Sequence, residues 1–297
     1  MIIVRLQGGL GNQMFQYALG RVLALKNNTE LGMDLAFLLD RTPAPGITFR
    51  DYNLGDFNIK ATIVPQKDIP FFYRKHRLGF FMRYLDFLRR KFIPSPGKEK
   101  KAYNFDSTIL SLGSNSYLEG WWQNPNYFSE FQEIIRNDFT LKHTSEKVAQ
   151  RISEIKSKNS VCVHIRRGDY VSGDYLGRSY YPVMDEVYYK NALNLISEKD
   201  AIDCIYVFDR DDIEWCKKNV QFDYPVVYIE NDITVAECVT LMSSCKHFVM
   251  ANSSLSWWAA WLGTSPEKIV VAPKKWLTRD SVNKNTADLL PDEWIKM

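Results

Sequence analysis

At 297 residues, with 45% apolar and 25% charged side chains and a formal net charge of +3, the chain is long enough for two domains of a soluble globular kind. No apolar run reaches the roughly 20 residues of a membrane span, and so modest a charge excludes bulk electrostatic binding of nucleic acid. The five cysteines (Cys162, Cys204, Cys216, Cys238, Cys245) contain no C-x-x-C spacing and the four histidines are scattered, so metal and redox motifs find no support and buried thiols in a reducing cytoplasm are expected.

In chain order, Met1 to Leu6 reads as a strand, Gln7-Gly8-Gly9-Leu10-Gly11-Asn12-Gln13 as a glycine-rich turn, and Met14 to Ala24 as a helix. Glycines let a backbone approach a ligand closely. The turn is not a dinucleotide fingerprint, because Met14 stands where the third glycine would be, and it has no P-loop Gly-Lys-Ser/Thr. The polar pair Asn12 and Gln13 at the helix start favours a binding loop. Residues 71 to 101 hold ten Lys or Arg against Asp86 and Glu99, interleaved with eight aromatics from Phe71 to Phe92. Such a stretch is either a surface insertion or a patch lying on an anionic membrane.

Pro94-Ser95-Pro96-Gly97 breaks the chain after that segment, and a helix over 145–156 leads to the next strand. A boundary near residue 150 predicts domains 1–150 and 151–297. The second half alternates: strand 161–165, helix 186–197, strand 204–208, helix 211–219, strand 226–230, helix 234–245, strand 247–251, helix 254–262, strand 268–272. Strict alternation predicts a parallel sheet covered by helices.

Two loops fall at the carboxyl ends of those strands, where open α/β sheets bind ligands. His164-Ile165-Arg166-Arg167-Gly168-Asp169-Tyr170 offers arginines suited to bidentate phosphate binding. Asn252-Ser253-Ser254 precedes Leu255-Ser256-Trp257-Trp258-Ala259-Ala260-Trp261-Leu262-Gly263, a capped helix whose N-terminus would face an anion.

With Gly8 to Ala18, Tyr117-Leu118-Glu119-Gly120-Trp121-Trp122-Gln123, His164 to Tyr170 and Asn252 to Trp258 in this order, the chain resembles the bacterial α-1,2-fucosyltransferases of glycosyltransferase family 11. The resemblance implies a GT-B architecture: two facing Rossmann-like domains with a deep cleft, the first on the acceptor side and the second binding a GDP-sugar. It implies inverting transfer of L-fucose from GDP-fucose to the 2-hydroxyl of an acceptor sugar, a galactoside in a surface glycan, with no metal and no other cofactor. A cytoplasmic enzyme is expected, at most peripheral at the inner membrane through residues 71–101. A different nucleotide sugar or linkage, or a non-catalytic glycan-binding relative, are the competing readings.

On that resemblance Arg166 would hold the diphosphate, with Asn252, Ser253 and Ser254 on its other side and Gly9, Gly11 and Asn12 reaching in from the first domain. His164 would contact guanine. Asp169 is the nearest candidate for the carboxylate that deprotonates the acceptor, with Asp174 and Glu119 also open. Tyr117, Trp121 and Trp122 offer flat faces for a sugar. The chain departs from the family at Arg210, where serine is usual, and at Cys238, where an aspartate would read the guanine N–H groups. A thiol is a poor acceptor, so Glu237 is expected to take over or the base to be read by backbone. Asp209-Arg210-Asp211 has the spacing of a metal-binding triplet. It also reads as the acid-rich start of a helix.

Overall fold

The computed structural model describes residues 1–42, 48–69, 96–172, 181–279 and 286–297. Most of the basic segment therefore lies outside the described residues, and with it the expected membrane patch. No described helix is long and apolar enough to cross a membrane.

The first apolar run forms Ile2–Arg5 (β1), and the glycine turn leads into Leu10–Lys26 (α1) and Leu31–Asp34 (β2). A short helix, Ala36–Leu39 (α2), precedes the two-residue strands Thr62–Ile63 (β3) and Tyr117–Leu118 (β4). The sheet order is β3-β2-β1-β4, with every pairing parallel. Parallel neighbours need a crossover, and α1 supplies it between β1 and β2. Met14, Phe15, Tyr17, Ala18, Leu19, Val22 and Leu23 of α1 are all fully covered. A helix apolar on most sides belongs in a core rather than on a surface.

Helices Gln132–Asp138 (α3) and Glu146–Lys156 (α4) lead to the second sheet. Its elements are Ser160–His164 (β5), Gly168–Ser172 (α5), Glu186–Ser197 (α6), Cys204–Phe208 (β6), Ile213–Asn219 (α7), Val226–Tyr228 (β7), Val235–Ser243 (α8), His247–Val249 (β8), Ser254–Leu262 (α9), Val270–Ala272 (β9) and Ile295–Lys296 (β10). The order is β10-β9-β8-β5-β6-β7, again all parallel. The alternation expected from sequence is present through β9. The edge strand β10 is only two residues long, too short to show a period. The boundary expected near residue 150 falls inside α4, which packs against α8 of the second sheet. Beside it the Ser145 hydroxyl donates to Glu237 Oε1 at 3.4 Å, and Lys147 pairs with Asp232.

Both sheets reverse their winding at one place. The chain runs β1 to β2 to β3 in one direction and then sets β4 on the other side of β1. It runs β5 to β6 to β7 in one direction and then sets β8 on the other side of β5. These are topological switch points, where the loops beyond the carboxyl ends of adjacent strands part and leave a crevice.

The two halves share a core that passes from α1 to α9. The Phe15 ring lies 4.7 Å from Trp257 and 4.9 Å from Trp258, centroid to centroid, and Phe128 stacks on Trp258 at 5.2 Å. Each such aromatic pair contributes about 0.5–1.5 kcal/mol beyond area burial. Trp258 Nε1 donates to Gly11 O at 3.0 Å, and Trp257 Nε1 to Leu289 O at 2.7 Å. Helix α9 is capped at both ends: the Ser253 hydroxyl accepts from Leu255 N, and Lys268 Nζ donates to the carbonyls of Ala260 and Gly263 at 2.8 and 2.7 Å. The five cysteines are free and buried.

Candidate active site

At the second switch point β5 ends in His164 and the Arg166 loop, and β8 ends before Asn252 and the start of α9. His164 is buried, and its Nδ1 hydrogen-bonds the Ser256 hydroxyl in the first turn of α9. Burial and the neighbouring Arg166 charge push the His164 pKa down to about 3, so the ring stays neutral at physiological pH. In this conformation His164 braces strand against helix instead of opening to solvent.

The two arginines differ in their surroundings. Arg166 Nη1 pairs with Asp211 Oδ2 at 2.6 Å, and its guanidinium stands 5.6 Å from the Tyr170 ring centroid. The Tyr170 hydroxyl donates to Asn252 O at 3.0 Å, so the arginine loop is tied to the serine cap. Arg167 instead lies flat on Trp215, 3.4 Å from the ring centroid. Arg166 is thus held by an acid and Arg167 by an indole. A partly exposed ion pair such as Arg166–Asp211 is worth on the order of 1 kcal/mol, little enough for an incoming diphosphate to displace.

At the first switch point β1 leads into the glycine turn and β4 into Glu119-Gly120-Trp121. Gly8 has φ of +75°, a left-handed conformation that favours glycine. Asn12 Oδ1 accepts from Gln123 Nε2 at 2.6 Å, which joins the two loops. Glu119 pairs with Arg5 at 3.2 Å.

Gly11 brings the two switch points together. A Cβ on Gly11 would stand 2.5 Å from Ser254 C, 2.6 Å from Leu255 N and 2.7 Å from Ser254 Oγ. Only a residue with no side chain lets α1 start against the N-terminus of α9. Gly9, two residues earlier, has nothing within 4 Å of such a Cβ and faces open space. Gly11 therefore sets the glycine turn against Ser254 and the start of α9, to which Arg166 is linked through Tyr170 and Asn252. Free N–H groups at a helix start and a guanidinium suit an anion such as a diphosphate.

Other expected residues stand elsewhere. Glu237 closes a capping box on α8: its Oε2 accepts from Thr234 N at 2.8 Å, and the Thr234 hydroxyl accepts from Glu237 N at 3.2 Å. The Thr-x-x-Glu spacing is the sequence sign of that motif, and it commits Glu237 to the helix start rather than to a base. The Asn252 amide is buried and donates to Pro182 O and Trp276 O, so it braces loops. Cys238 is buried and touches Arg210, so the two departures from the family meet; burial pushes the thiol up to about 11 and keeps it protonated. Asp169 lies in α5, but its side chain is outside the described residues, as is all of Asp174. In the Asp209-Arg210-Asp211 triplet, Asp209 is buried with Oδ1 accepting from Asp211 N and Asp212 N and Oδ2 from the Cys216 thiol. That leaves it a loop brace, and no described group of acids, histidines or cysteines is arranged to hold a metal.

Sequence reasoning missed Glu99, Gln7 and Gln16. Gln7 and Gln16 Nε2 both donate to Gly120 O, at 3.3 and 3.2 Å. Buried Gln16 on the apolar face of α1 was the available signal, because a buried amide needs a partner. Nothing in the sequence marks Glu99.

The model of glycosyl transferase family 11 matches residues 1–297. The chain is 33% identical over 301 residues to an alpha-1,2-colitosyltransferase of Escherichia coli, covering 100% of this chain and 99% of that one. It is 31% identical over 314 residues to the O-antigen biosynthesis glycosyltransferase WbnK of Escherichia coli, covering 98% and 99%. To galactoside alpha-(1,2)-fucosyltransferase 1 of Rattus norvegicus it is 27% identical over 157 residues, 49% of this chain and 41% of the relative.

Proposed function

The chain belongs to glycosyl transferase family 11, and from that premise we propose that it transfers L-fucose from GDP-fucose to the 2-hydroxyl of a galactoside in a surface glycan, with inversion and without a metal. The observation that carries the reading is the contact of Gly11 with Ser254, which sets the two switch-point crevices against each other. One crevice has the cation and helix N-terminus a leaving diphosphate needs; the other has amides and aromatics suited to a sugar.

In the reaction the C1–O bond to the diphosphate lengthens, the sugar ring gains positive charge and the diphosphate gains negative charge. Arg166 moves from Asp211 to the diphosphate, and the positive end of the α9 dipole lies on its other side. The acceptor oxygen attacks C1 from the opposite side, and a carboxylate takes its proton; Asp169, Asp174 and Glu119 are the candidates. The guanine is expected near the carboxyl ends of β5 and β6, where His164 stays neutral and Arg210 and Cys238 replace the usual serine and aspartate.

Full transfer activity is expected in excess EDTA, because the acids of the metal-like triplet are engaged in loop and arginine contacts. Loss of activity on chelation, restored by manganese or magnesium, would show that a metal carries the diphosphate charge. GDP is expected to raise the melting temperature and UDP not to, since a site that hydrogen-bonds one base leaves buried groups unpaired with another. Equal shifts from the two nucleotides would mean that the site reads diphosphate alone, and GDP-fucose would be withdrawn as donor.

A second reading keeps the site and changes the sugar. The similarity to a colitosyltransferase over the whole chain favours GDP-colitose, whose sugar is L-fucose lacking the 3-hydroxyl. A site built to hydrogen-bond a hydroxyl rejects the deoxy analogue strongly, whereas an apolar one discriminates little. Transfer rates with the two GDP-sugars side by side decide between them.

A further inference from the structure

Strand β4 and the loop after it hold the aromatic side chains of Tyr117, Trp121 and Trp122, and the structure treats them differently. Tyr117 is 5% exposed, with its hydroxyl donating to Asp34 Oδ2 at 2.6 Å. Trp122 is 1% exposed and meets Tyr127 edge to face. Trp121 is 37% exposed.

The turn that turns Trp121 outward is held from several directions. Gly120 O accepts the two amides of Gln7 and Gln16. The backbone N–H groups of Trp121 and Trp122 donate to the two oxygens of Glu99 at 2.7 and 3.2 Å. Trp122 sits at φ of +57°, a left-handed conformation unusual for a bulky residue. Strain of this kind persists only where the surroundings over-determine it, and it clusters at functional sites. A mere surface tryptophan needs none of these supports.

The indole lies over the glycine turn. A Cβ on Gly8 would stand 2.8 Å from Trp121 Cζ3 and 2.4 Å from Asn12 Nδ2, so the two groups border the same small space. Asn12 Oδ1 is held by Gln123, and Asn12 Nδ2 donates to none of the described residues. Gly9 beside it opens on free space. The place therefore offers a fixed aromatic face, an oriented amide donor and room, at the carboxyl ends of β1 and β4.

Resting on the transfer reaction proposed above, we propose that Trp121 is the platform on which the acceptor pyranose stacks, with Asn12 Nδ2 donating to one of its hydroxyls. A galactoside has one face where the axial 4-hydroxyl leaves contiguous C–H groups, and the negative face of an indole attracts such C–H edges. An apolar wall with a few placed polar groups is the usual make-up of a small-molecule site.

Trp121→Ala and Trp121→Phe, assayed with GDP-fucose and lactose, test this. Trp121→Ala is expected to raise the lactose KM at least tenfold, while the Kd for GDP and the melting temperature stay within error of wild type. Trp121→Phe, which keeps a flat face, is expected to recover most of that loss. An unchanged lactose KM in Trp121→Ala overturns the platform, as does Phe behaving like Ala, or a GDP Kd that moves as far as the lactose KM. A wild-type enzyme that consumes GDP-fucose but leaves lactose unmodified overturns the galactoside reading and the platform with it.

Discussion

Arg166→Ala is expected to lower transfer by about a hundredfold or more while the protein stays folded. A cationic donor aimed at developing negative charge is worth roughly 10²–10³ in rate when removed from a preorganised site. Its pairing with Asp211 is a partly exposed ion pair, and such pairs are worth about 1 kcal/mol or less. Arg166→Lys is expected to recover little, because an ammonium keeps the charge but lacks the fork that grips two oxygens at once. Turnover is measured with saturating GDP-fucose, and melting temperature serves as the control for folding. Near-normal turnover in Arg166→Ala would mean that the arginine only holds the Asp211 loop, and the donor site would have to be sought elsewhere.

Gly11→Ala carries the second large effect, in both stability and rate. The new methyl meets the backbone of Ser254 and Leu255 at 2.5 and 2.6 Å, and backbone cannot rotate aside as a flexible side chain can. Overpacking costs roughly 1–3 kcal/mol, so a fall of several degrees in melting temperature is expected. The rate should fall further than the stability does. Pushing α1 off α9 separates the two crevices, and a shift of about 1 Å in a reacting pair can cost a hundredfold. Gly9→Ala is the control for stability alone: its methyl meets nothing within 4 Å and its φ of −71° suits any residue, so its melting temperature is expected to match wild type. If Gly11→Ala melts and turns over like wild type, the two halves are not held in register at this contact.

The α/β alternation of the second half was legible because each element there carries its own period and its own caps. The arginine loop and the serine cap were legible for the same reason, since both follow buried strand-like runs. Their meeting with the glycine turn was not, because Gly11 and Ser254 are brought together by tertiary contacts, the packing of Phe15 against Trp257 and Trp258 and the Trp258–Gly11 hydrogen bond. Glu237 shows the opposite case. The expectation that it takes over the reading of guanine left unused a local rule, the capping box with Thr234, that the sequence displays openly. The Asn252 amide is likewise bound to Pro182 O and Trp276 O, contacts that no local pattern in the sequence announces. The separation of Trp121 from Tyr117 and Trp122 needed the left-handed turn at Trp122, which no propensity of tryptophan foretells.

The seam between α1 and α9 also bears on how such enzymes can be recombined. If acceptor choice resides in the loops beyond β1 and β4, and donor choice in those beyond β5 and β8, exchanging halves between relatives is an obvious route to new linkages. The Trp258–Gly11 hydrogen bond and the close fit of Gly11 on Ser254 make that exchange conditional. A transplanted half must arrive with its matching helix, or the hybrid will hold two intact crevices aimed past each other.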